Sequence, residues 1–185
     1  RKVKETIAEW TQDYYDDIRP AQFRQAQKAG AKLNAPQQKG ADRISKKSAA
    51  EQGKLARDAD LLEDFVSRAP KFKGEVHRGM SVNDFSTVTK IIESYKRGDA
   101  GLAMESWSAN RAHAHKFARQ GTSGQHGLMI KQVNEFGAAI DSLSGFDEWE
   151  VLMPKGVRYE IVSIKTIKGS NKRGNPVTDP LVGVS

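Results

Sequence analysis

The hydrophobic periodicity of this 185-residue chain changes near residue 75, from the spacing of helices to the spacing of short strands. Over residues 3–18 and 54–69, apolar residues recur at helical spacing, which predicts two amphipathic helices ended by Pro20 and Pro70. Later apolar runs are short and partly alternating, as in strands, and lie at 75–80, 102–108, 128–133, 151–153 and 157–167. Helices first and strands later predict one α+β domain over residues 1–185.

Two further helices are predicted within the strand-rich half. A helical pattern over 82–95 has Asn83 or Ser86 as its N-cap, and a pattern over 109–119 has Ser108, whose hydroxyl can accept a hydrogen bond from the first turn. At the other end of this half, the runs 151–153 and 157–167 flank a Pro-Lys-Gly turn and are interpreted as paired strands. The tail over 169–185 is rich in Gly, Asn, Pro and Ser, so we expect it to be loosely ordered.

Positive charge is concentrated in one segment. The whole chain carries a formal charge of +7, and residues 19–57 alone contain ten Lys or Arg against Asp42 and Glu51. This segment has few large apolar residues, which predicts a solvated basic insertion, either a mobile arm or a loosely packed helix. The alternative is a surface for an acidic or nucleic-acid-associated partner, although no aromatic residue interleaves the charges from Arg24 onward.

Composition excludes several kinds of site. The chain has no cysteine, so it has no disulfide, thiolate metal site or cysteine nucleophile. His113 and His115 have a spacing that places them on different faces of a helix, and the other two histidines lie in unrelated segments, so no metal site is predicted. No apolar run approaches the roughly 20 residues of a membrane span, and no signal-peptide core follows Arg1. We expect a soluble monomer. The sequence begins without an initiator methionine, so we expect a processed product or a fragment of a longer chain.

Two carboxylates stand two residues apart where a polar loop becomes an apolar strand, in the sequence Glu148-Trp149-Glu150. Residues i and i+2 of an extended chain point to the same side, so both acids can face one cleft while Trp149 turns away. Most such pairs are solvated strand faces. The functional interpretation therefore depends on the other polar sites of the chain.

Three polar motifs occur in a fixed order: His77-Arg78-Gly79-Met80 on an early strand, Glu105-Ser106-Trp107-Ser108 on a middle strand, and Glu148-Trp149-Glu150 entering a late strand that leads to Pro154. In this order the sequence resembles the arginine-directed mono-ADP-ribosyltransferases, the Arg-Ser-Glu class that includes bacterial toxins and phage enzymes. The motifs are similar to the family's aromatic-Arg-Gly strand, Ser-Thr-Ser strand and Glu-x-Glu strand. The helix over residues 10–19 is also similar to the family's opening helix.

The resemblance implies an ADP-ribosyltransferase-like fold, with N-terminal helices before a two-sheet β core around a cleft for NAD. It implies a glycosyltransferase that moves ADP-ribose from NAD to arginine side chains of target proteins and releases nicotinamide, without a metal. Such an enzyme would be a toxin or effector of a phage or bacterium, acting in the host-cell cytoplasm after secretion or delivery by a virion. An NAD glycohydrolase and a non-catalytic phage head module are the alternatives.

The resemblance also implies roles for single residues. Glu150 would hydrogen-bond the ribose of NAD and stabilise positive charge on the sugar, while Glu148 would orient and deprotonate the acceptor arginine. Arg78 would hold the phosphates of NAD, Gly79 the nicotinamide amide, and Ser106 would position Glu150. Three residues have supporting roles: Ser108 on the strand, Phe117 packing on nicotinamide and Arg119 as a further phosphate contact.

Two aromatic residues near these motifs receive different interpretations. Phe146, in the loop over 136–147, is expected to face the target protein, because loops of this kind carry specificity. Trp107 stands where the family commonly has Thr and should pack in the core, on the side opposite its serine neighbours.

The sequence departs from the family pattern at two further places. His77 stands where a Tyr is common, and the basic segment 19–57 has no clear counterpart in the family.

Overall fold

The computed structural model describes residues 2–82, 84–119, 126–140, 149–167 and 181–184. Within these ranges the chain forms helices α1 Lys2–Glu9, α2 Tyr15–Lys28, α3 Ala35–Ser45, α4 Ala49–Arg68, α5 Phe85–Arg97 and α6 Arg111–Ala118. The strands are β1 Gly74–Val82, β2 Glu105–Ser108, β3 His126–Asn134, β4 Ala138–Ala139, β5 Glu150–Met153, β6 Ile164–Ile167 and β7 Leu181–Val184. The predicted α+β class is confirmed.

The first helical region is longer than predicted, because Pro20 lies inside α2 and does not end it. A π-helical turn over Trp10–Tyr14 joins α1 to α2, so that residues 2–28 are helical throughout. Proline lacks the N–H that would bond to the carbonyl of Asp16, four residues earlier. The Arg43 guanidinium donates a hydrogen bond to that carbonyl oxygen from α3, which removes part of the cost of an interior proline.

The basic segment 19–57 consists of packed helices in the structure. It contains most of α2, all of α3 and the start of α4, with Asn34 and Ser48 forming capping boxes at the two helix starts. Three of its apolar residues, Phe23, Ile44 and Leu55, are buried in the core. A mobile arm is therefore not seen here; whether the segment is an insertion relative to similar proteins stays a prediction.

The seven described strands follow one order, β4-β5-β2-β1-β3-β7-β6, and are antiparallel except for the parallel pair β3–β7. The predicted division into two sheets is thus not confirmed. The sheet is nonetheless weakly joined in the middle, because β1 and β2 share a single paired position, His77 opposite Ser108. A cleft can open where these two strands are not paired.

One prediction for the end of the chain is wrong, and a second is tested only at residues 181–184. The hairpin around Pro154 does not form, because β5 pairs with β2 and β4 while β6 pairs with β7. The tail is not loose throughout, since Leu181–Val184 forms β7 between β3 and β6. The remainder of the predicted tail, residues 169–180 and 185, lies outside the described residues. Both differences arise from pairing between residues distant in sequence, which a local pattern does not encode.

The helix caps also differ from prediction. The carboxylate of Asp84 caps α5 by accepting a hydrogen bond from the Thr87 backbone N–H at 2.8 Å. The Oδ1 atom of Asn110 caps α6 by accepting from two backbone N–H groups. Ser108 instead bonds to the backbone of Asn110 at 3.0 and 3.1 Å. Asp and Asn are strong N-caps, so the preferred residue was misplaced by one or two positions.

Apolar side chains form separate cores on the two faces of the sheet. Leu152 packs with Ile7, Trp10 and helices α2 and α4, whereas its neighbours Val151 and Met153 pack with the other core, which includes Val88 of α5. The alternation along β5 is that of a strand buried on both faces. Trp107 is buried in the second core, as predicted, and stacks on Tyr159. No described helix is both long enough and apolar enough to cross a bilayer.

Candidate active site

A cleft of about 370 Å³ lies beside the single paired position of β1 and β2. It is lined from the helical side by the π-helical turn and α2, from the sheet by β1, β2 and β5, and from the far side by α6. Six of the residues predicted from sequence line this cleft: Arg78, Gly79, Ser106, Ser108, Phe117 and Glu150. Arg119 is not among its lining residues, and Phe146 and Glu148 lie outside the described residues.

Glu150 begins β5 with its side chain buried in this cleft, where it is 6% exposed. The Ser106 hydroxyl donates a hydrogen bond to its Oε1 atom at 2.5 Å, because Ser106 lies on the neighbouring strand β2. The indole Nε1 of Trp10 donates to the same Oε1 atom at 3.1 Å and lies 3.2 Å from the Ser106 hydroxyl. The carboxylate is therefore held in one orientation by donors from a strand and from the first helical region.

A buried carboxylate holds two guanidinium groups at the same cleft. Glu105 is 4% exposed, and its Oε2 atom lies 2.9 Å from Arg78 Nη1 and accepts a hydrogen bond from the Tyr95 hydroxyl at 3.0 Å. Its Oε1 atom lies 3.5 Å from Arg19 Nη2. Two cations thus share one anion in a buried place, and the net positive charge favours an anionic ligand.

The pKa values of the two arginines shift in opposite directions. Burial, followed by the positive charge of Arg78, lowers the pKa of the Arg19 guanidinium. Burial also opposes the charged form of Arg78, but the Glu105 carboxylate, together with the hydroxyls of Tyr95 and Tyr159, more than offsets it, so the pKa of Arg78 is raised. Both groups stay charged at neutral pH, because an arginine pKa starts far above it.

Gly79 has a packing role that the sequence did not indicate. A Cβ atom built on Gly79 would lie 1.7 Å from the backbone oxygen of Ala114 and 2.9 Å from the backbone nitrogen of Ala118. Helix α6 therefore packs directly on the backbone of β1, and this contact brings Phe117 to the cleft. This close packing explains why a glycine stands at position 79. The contact of Gly79 with the nicotinamide amide stays a prediction.

Replacing Gly79 by Ala should therefore displace α6 and lower the free energy of unfolding by about 1–3 kcal/mol or more, as overpacking does. Denaturant unfolding measures the loss. Gly98→Ala is not a suitable control, since Gly98 has a positive φ of 79°. Gly53→Ala in helix α4 is suitable, because its added methyl group would meet only the end of the Arg57 side chain, and it should leave stability equal or slightly higher. Equal stability of Gly79→Ala and the native chain would contradict the packing role.

The backbone at Trp149 is not extended, contrary to the prediction for residues 148–150. Its φ is +52°, in the left-handed region that residues other than glycine seldom adopt, and its side chain is 51% exposed. The Ala109 N–H donates to the Trp149 carbonyl at 2.8 Å, which ties this turn to the end of β2. The alternation of an extended strand therefore does not hold at Trp149, and Glu148 itself lies outside the described residues.

Sequence reasoning missed four residues of this site: Trp10, Arg19, Tyr95 and Glu105. Trp10 and Tyr95 lay in predicted helices and Arg19 lay in the basic segment, and the resemblance of residues 10–19 to the family's opening helix assigned no site role to Trp10 or Arg19. Glu105 carried the clearest signal, since it is a charged residue inside the otherwise uncharged run 102–108. A charge at such a position is rarely buried without a partner.

No protein-family model matches the sequence, and a search of curated proteins finds no match. Solved structures do match. One is Vis, an ADP-ribosyltransferase toxin from Vibrio splendidus, whose structure was solved in complex with agmatine. Its sequence is 16% identical to this chain, and the match covers 100% of this chain and 74% of Vis with a TM-score of 0.61. An ADP-ribosyltransferase from Clostridium botulinum matches with 15% identity, 100% and 86% coverage and a TM-score of 0.54.

The catalytic domain of VsdC from Aeromonas hydrophila matches over 100% of both chains, with 13% identity and a TM-score of 0.50. Together these likenesses define the class of fold, which is that of the bacterial ADP-ribosyltransferases. The likeness extends over the whole of this chain in all three comparisons. The ADP-ribosyltransferase-like fold class expected from the sequence motifs is thereby confirmed, although its division into two sheets is not.

Proposed function

We propose that this chain is a mono-ADP-ribosyltransferase, which cleaves NAD between ribose and nicotinamide and transfers ADP-ribose to an arginine side chain of a target protein. The observation that carries the proposal is Glu150, buried and oriented by Ser106 in a cleft that Arg78 also lines. The fold is consistent with it. The agmatine bound to Vis carries a guanidinium group, which supports an arginine acceptor by analogy.

Glu150 supplies the chemistry of bond cleavage. As the bond from ribose C1′ to the nicotinamide nitrogen breaks, its electron pair leaves with nicotinamide and positive charge develops on the sugar, as in glycoside hydrolysis. A carboxylate held at that sugar stabilises the charge without having to reorient. The hydrogen bond from Ser106 provides this preorganisation.

Arg78 and Arg19 are suited to the pyrophosphate of NAD. Their guanidinium groups share Glu105, so the cluster keeps one positive charge that a pyrophosphate would offset. Phe117 is half exposed at the cleft and offers a ring for nicotinamide to pack on, and Gly79 offers backbone groups to its amide. Ser108 supports β2 beside them. For Arg119, which does not line the cleft, the proposal of a phosphate contact has less support.

Transfer to arginine needs a second carboxylate. A guanidinium is protonated in solution and is a poor nucleophile, so one of its protons must be removed as its nitrogen bonds to C1′. We assign this proton to Glu148 by resemblance. We assign contact with the target protein to Phe146, because its loop is of the kind that carries specificity.

Glu148→Ala should therefore separate the two activities. Arginine modification should fall by about 10²-fold or more, while slow NAD hydrolysis continues, because water does not need the same base. Labelled NAD with agmatine measures transfer, and nicotinamide release without an acceptor measures hydrolysis. Equal transfer by Glu148→Ala and the native chain would contradict the role of Glu148.

The overall proposal is tested with labelled NAD and a host-cell lysate, followed by mass spectrometry of modified peptides. Label on arginine supports the proposal and identifies the target. Nicotinamide release without any labelled protein would favour an NAD glycohydrolase, which could use the same cleft. A chain that neither cleaves nor binds NAD would favour a non-catalytic module, such as a phage head component. The buried charges at the cleft speak against that last class, since a docking surface has no need of them.

The biological role that we propose is that of a toxin or effector from a phage or bacterium, acting on proteins of a host cell as a monomer. The fold is shared with the Vis toxin, which supports this role by analogy. A groove between α2 and α3 adjoins the cleft through Tyr15 and Arg19. Its charged lining is mainly basic, with Arg19, Lys39, Arg43 and Lys46 against Asp16 and Asp42. We propose that an acidic or nucleic-acid-associated target docks there.

The double variant Lys39→Glu and Lys46→Glu should reduce labelling of lysate targets severalfold, because reversed charges repel an acidic partner. NAD hydrolysis without an acceptor should not change. The matched control is Lys73→Glu with Lys90→Glu, which reverses two exposed charges outside this groove. Equal labelling by the two double variants would contradict docking at the groove.

A further inference from the structure

Trp10 connects the first helical region to the Glu150 carboxylate. Its side chain is 1% exposed, and its single polar atom, Nε1, lies 3.1 Å from Glu150 Oε1 and 3.2 Å from Ser106 Oγ. A buried indole usually places its N–H on an acceptor. Here the acceptors are Glu150, to which we assigned stabilisation of the sugar, and Ser106, which orients Glu150.

The backbone that carries Trp10 is unusual. Trp10–Tyr14 form a π-helical turn between two α-helices, and such turns are rare and often occur at functional sites. The wider turn changes the direction in which side chains leave the helix. Trp10 stands at the first position of the turn and Tyr14 at the last.

The far end of the π-helical turn is fixed to helix α4. The Tyr14 hydroxyl donates to Asp58 Oδ2 at 2.9 Å, and Lys54 Nζ lies 2.7 Å from that hydroxyl and 3.0 Å from Asp58 Oδ2. Lys54 also lies 4.7 Å from the centre of the Tyr14 ring. Asp58 is buried although Lys54 is exposed, so the hydrogen bond from Tyr14 to Asp58 is shielded from water.

We propose that Trp10 is a positioning residue, which holds the Glu150 carboxylate in its working orientation, and that Tyr14 acts through Trp10 by fixing the π-helical turn. The kinetic part of this inference rests on the proposed function. Ser106 and Trp10 both donate to Oε1, so two donors from separate parts of the fold hold one oxygen of the carboxylate in place. Loss of the Trp10 donor should loosen the hold on Oε1 and give the carboxylate more freedom about its last bond.

The hydrogen bond can be tested without any activity. The chain has three tryptophans, so its ¹⁵N-tryptophan spectrum contains three indole N–H signals, and Trp10→Phe assigns one of them. In the native chain this signal should exchange slowly with water. In Glu150→Ala it should move and exchange at least about 10-fold faster, because the charged acceptor is lost. An unchanged Trp10 signal in Glu150→Ala would overturn the contact.

The positioning role is tested by Trp10→Phe, which keeps an aromatic ring and removes the donor. The kcat of NAD hydrolysis should fall by about 10- to 100-fold, while KM for NAD changes less than about threefold. The control is Ile7→Val, which removes a methyl group from the same core and should leave kcat unchanged. Loss of kcat in both variants, in proportion to their lost stability, would show a merely structural role.

Tyr14→Phe removes the link to Asp58 and should give the same pattern with a smaller loss, about three- to tenfold in kcat. Combined with Trp10→Phe it should cause no further loss, because Tyr14 acts through Trp10. Additive losses in kcat would overturn that part of the inference. If the native chain proved unable to cleave NAD, the proposed function would fail, and the indole signal would still decide whether Trp10 holds Glu150.

Discussion

Glu150→Gln should lower the rate of NAD cleavage by about 10³-fold or more and abolish transfer to arginine with it. The amide has nearly the same shape as the carboxylate but no charge, so it cannot stabilise the positive sugar in the transition state. The fold should persist, because Ser106 and Trp10 can still donate to an amide oxygen. Nicotinamide release gives the rate, and thermal unfolding confirms the fold.

The matched control is Glu160→Gln, an exposed residue outside the cleft, which should leave the rate unchanged. NAD should still bind to Glu150→Gln, since we assign the phosphates to Arg78 and Arg19. An unchanged KM or dissociation constant with a lost kcat is the signature of a transition-state contact. Substantial NAD cleavage by Glu150→Gln would exclude Glu150 as the stabilising carboxylate.

The fold was predictable to the extent that local pattern determines it. Helical spacing predicted α4 and the first helical region, and alternation predicted β1, β2 and β3 within a few residues. Pro20 was misread because its effect is offset by Arg43, which lies 23 residues later. The hairpin at Pro154 was misread because β5 pairs with β2 and β4, and pairing partners at such distances leave no local trace.

The site was predictable where a motif carried it. Arg78, Ser106 and Glu150 were identified from three short strands in a fixed order, and the cleft contains all three. Trp10 reaches Glu150, and Arg19 and Tyr95 reach Glu105, from the helical parts of the chain, through contacts that join residues about 10 to 140 positions apart. The sequence pattern gave none of them a role in the site, because tertiary packing alone places them there. The buried support of an active site is thus harder to predict than its reacting groups.

Glu105→Gln should lower the free energy of unfolding by about 3–5 kcal/mol, the range observed when one partner of a buried ion pair is removed. Arg78 and Arg19 would then face each other without their shared counter-ion, since both guanidinium groups now contact this carboxylate. The Tyr95 hydroxyl keeps an acceptor in the new amide, so the loss comes from charge. Urea unfolding at neutral pH measures it.

Glu75→Gln provides the matched control, because Glu75 pairs with Lys131 at 3.2 Å where both side chains are half exposed. That substitution should cost less than about 1 kcal/mol. Inorganic pyrophosphate should restore more stability to Glu105→Gln than to the native chain, because an added anion then faces two unpaired guanidinium groups. Equal stability losses in the two variants would show that Glu105 is an ordinary ion-pair partner. A large loss that pyrophosphate reverses would show that the fold holds two buried arginines ready for an anionic ligand.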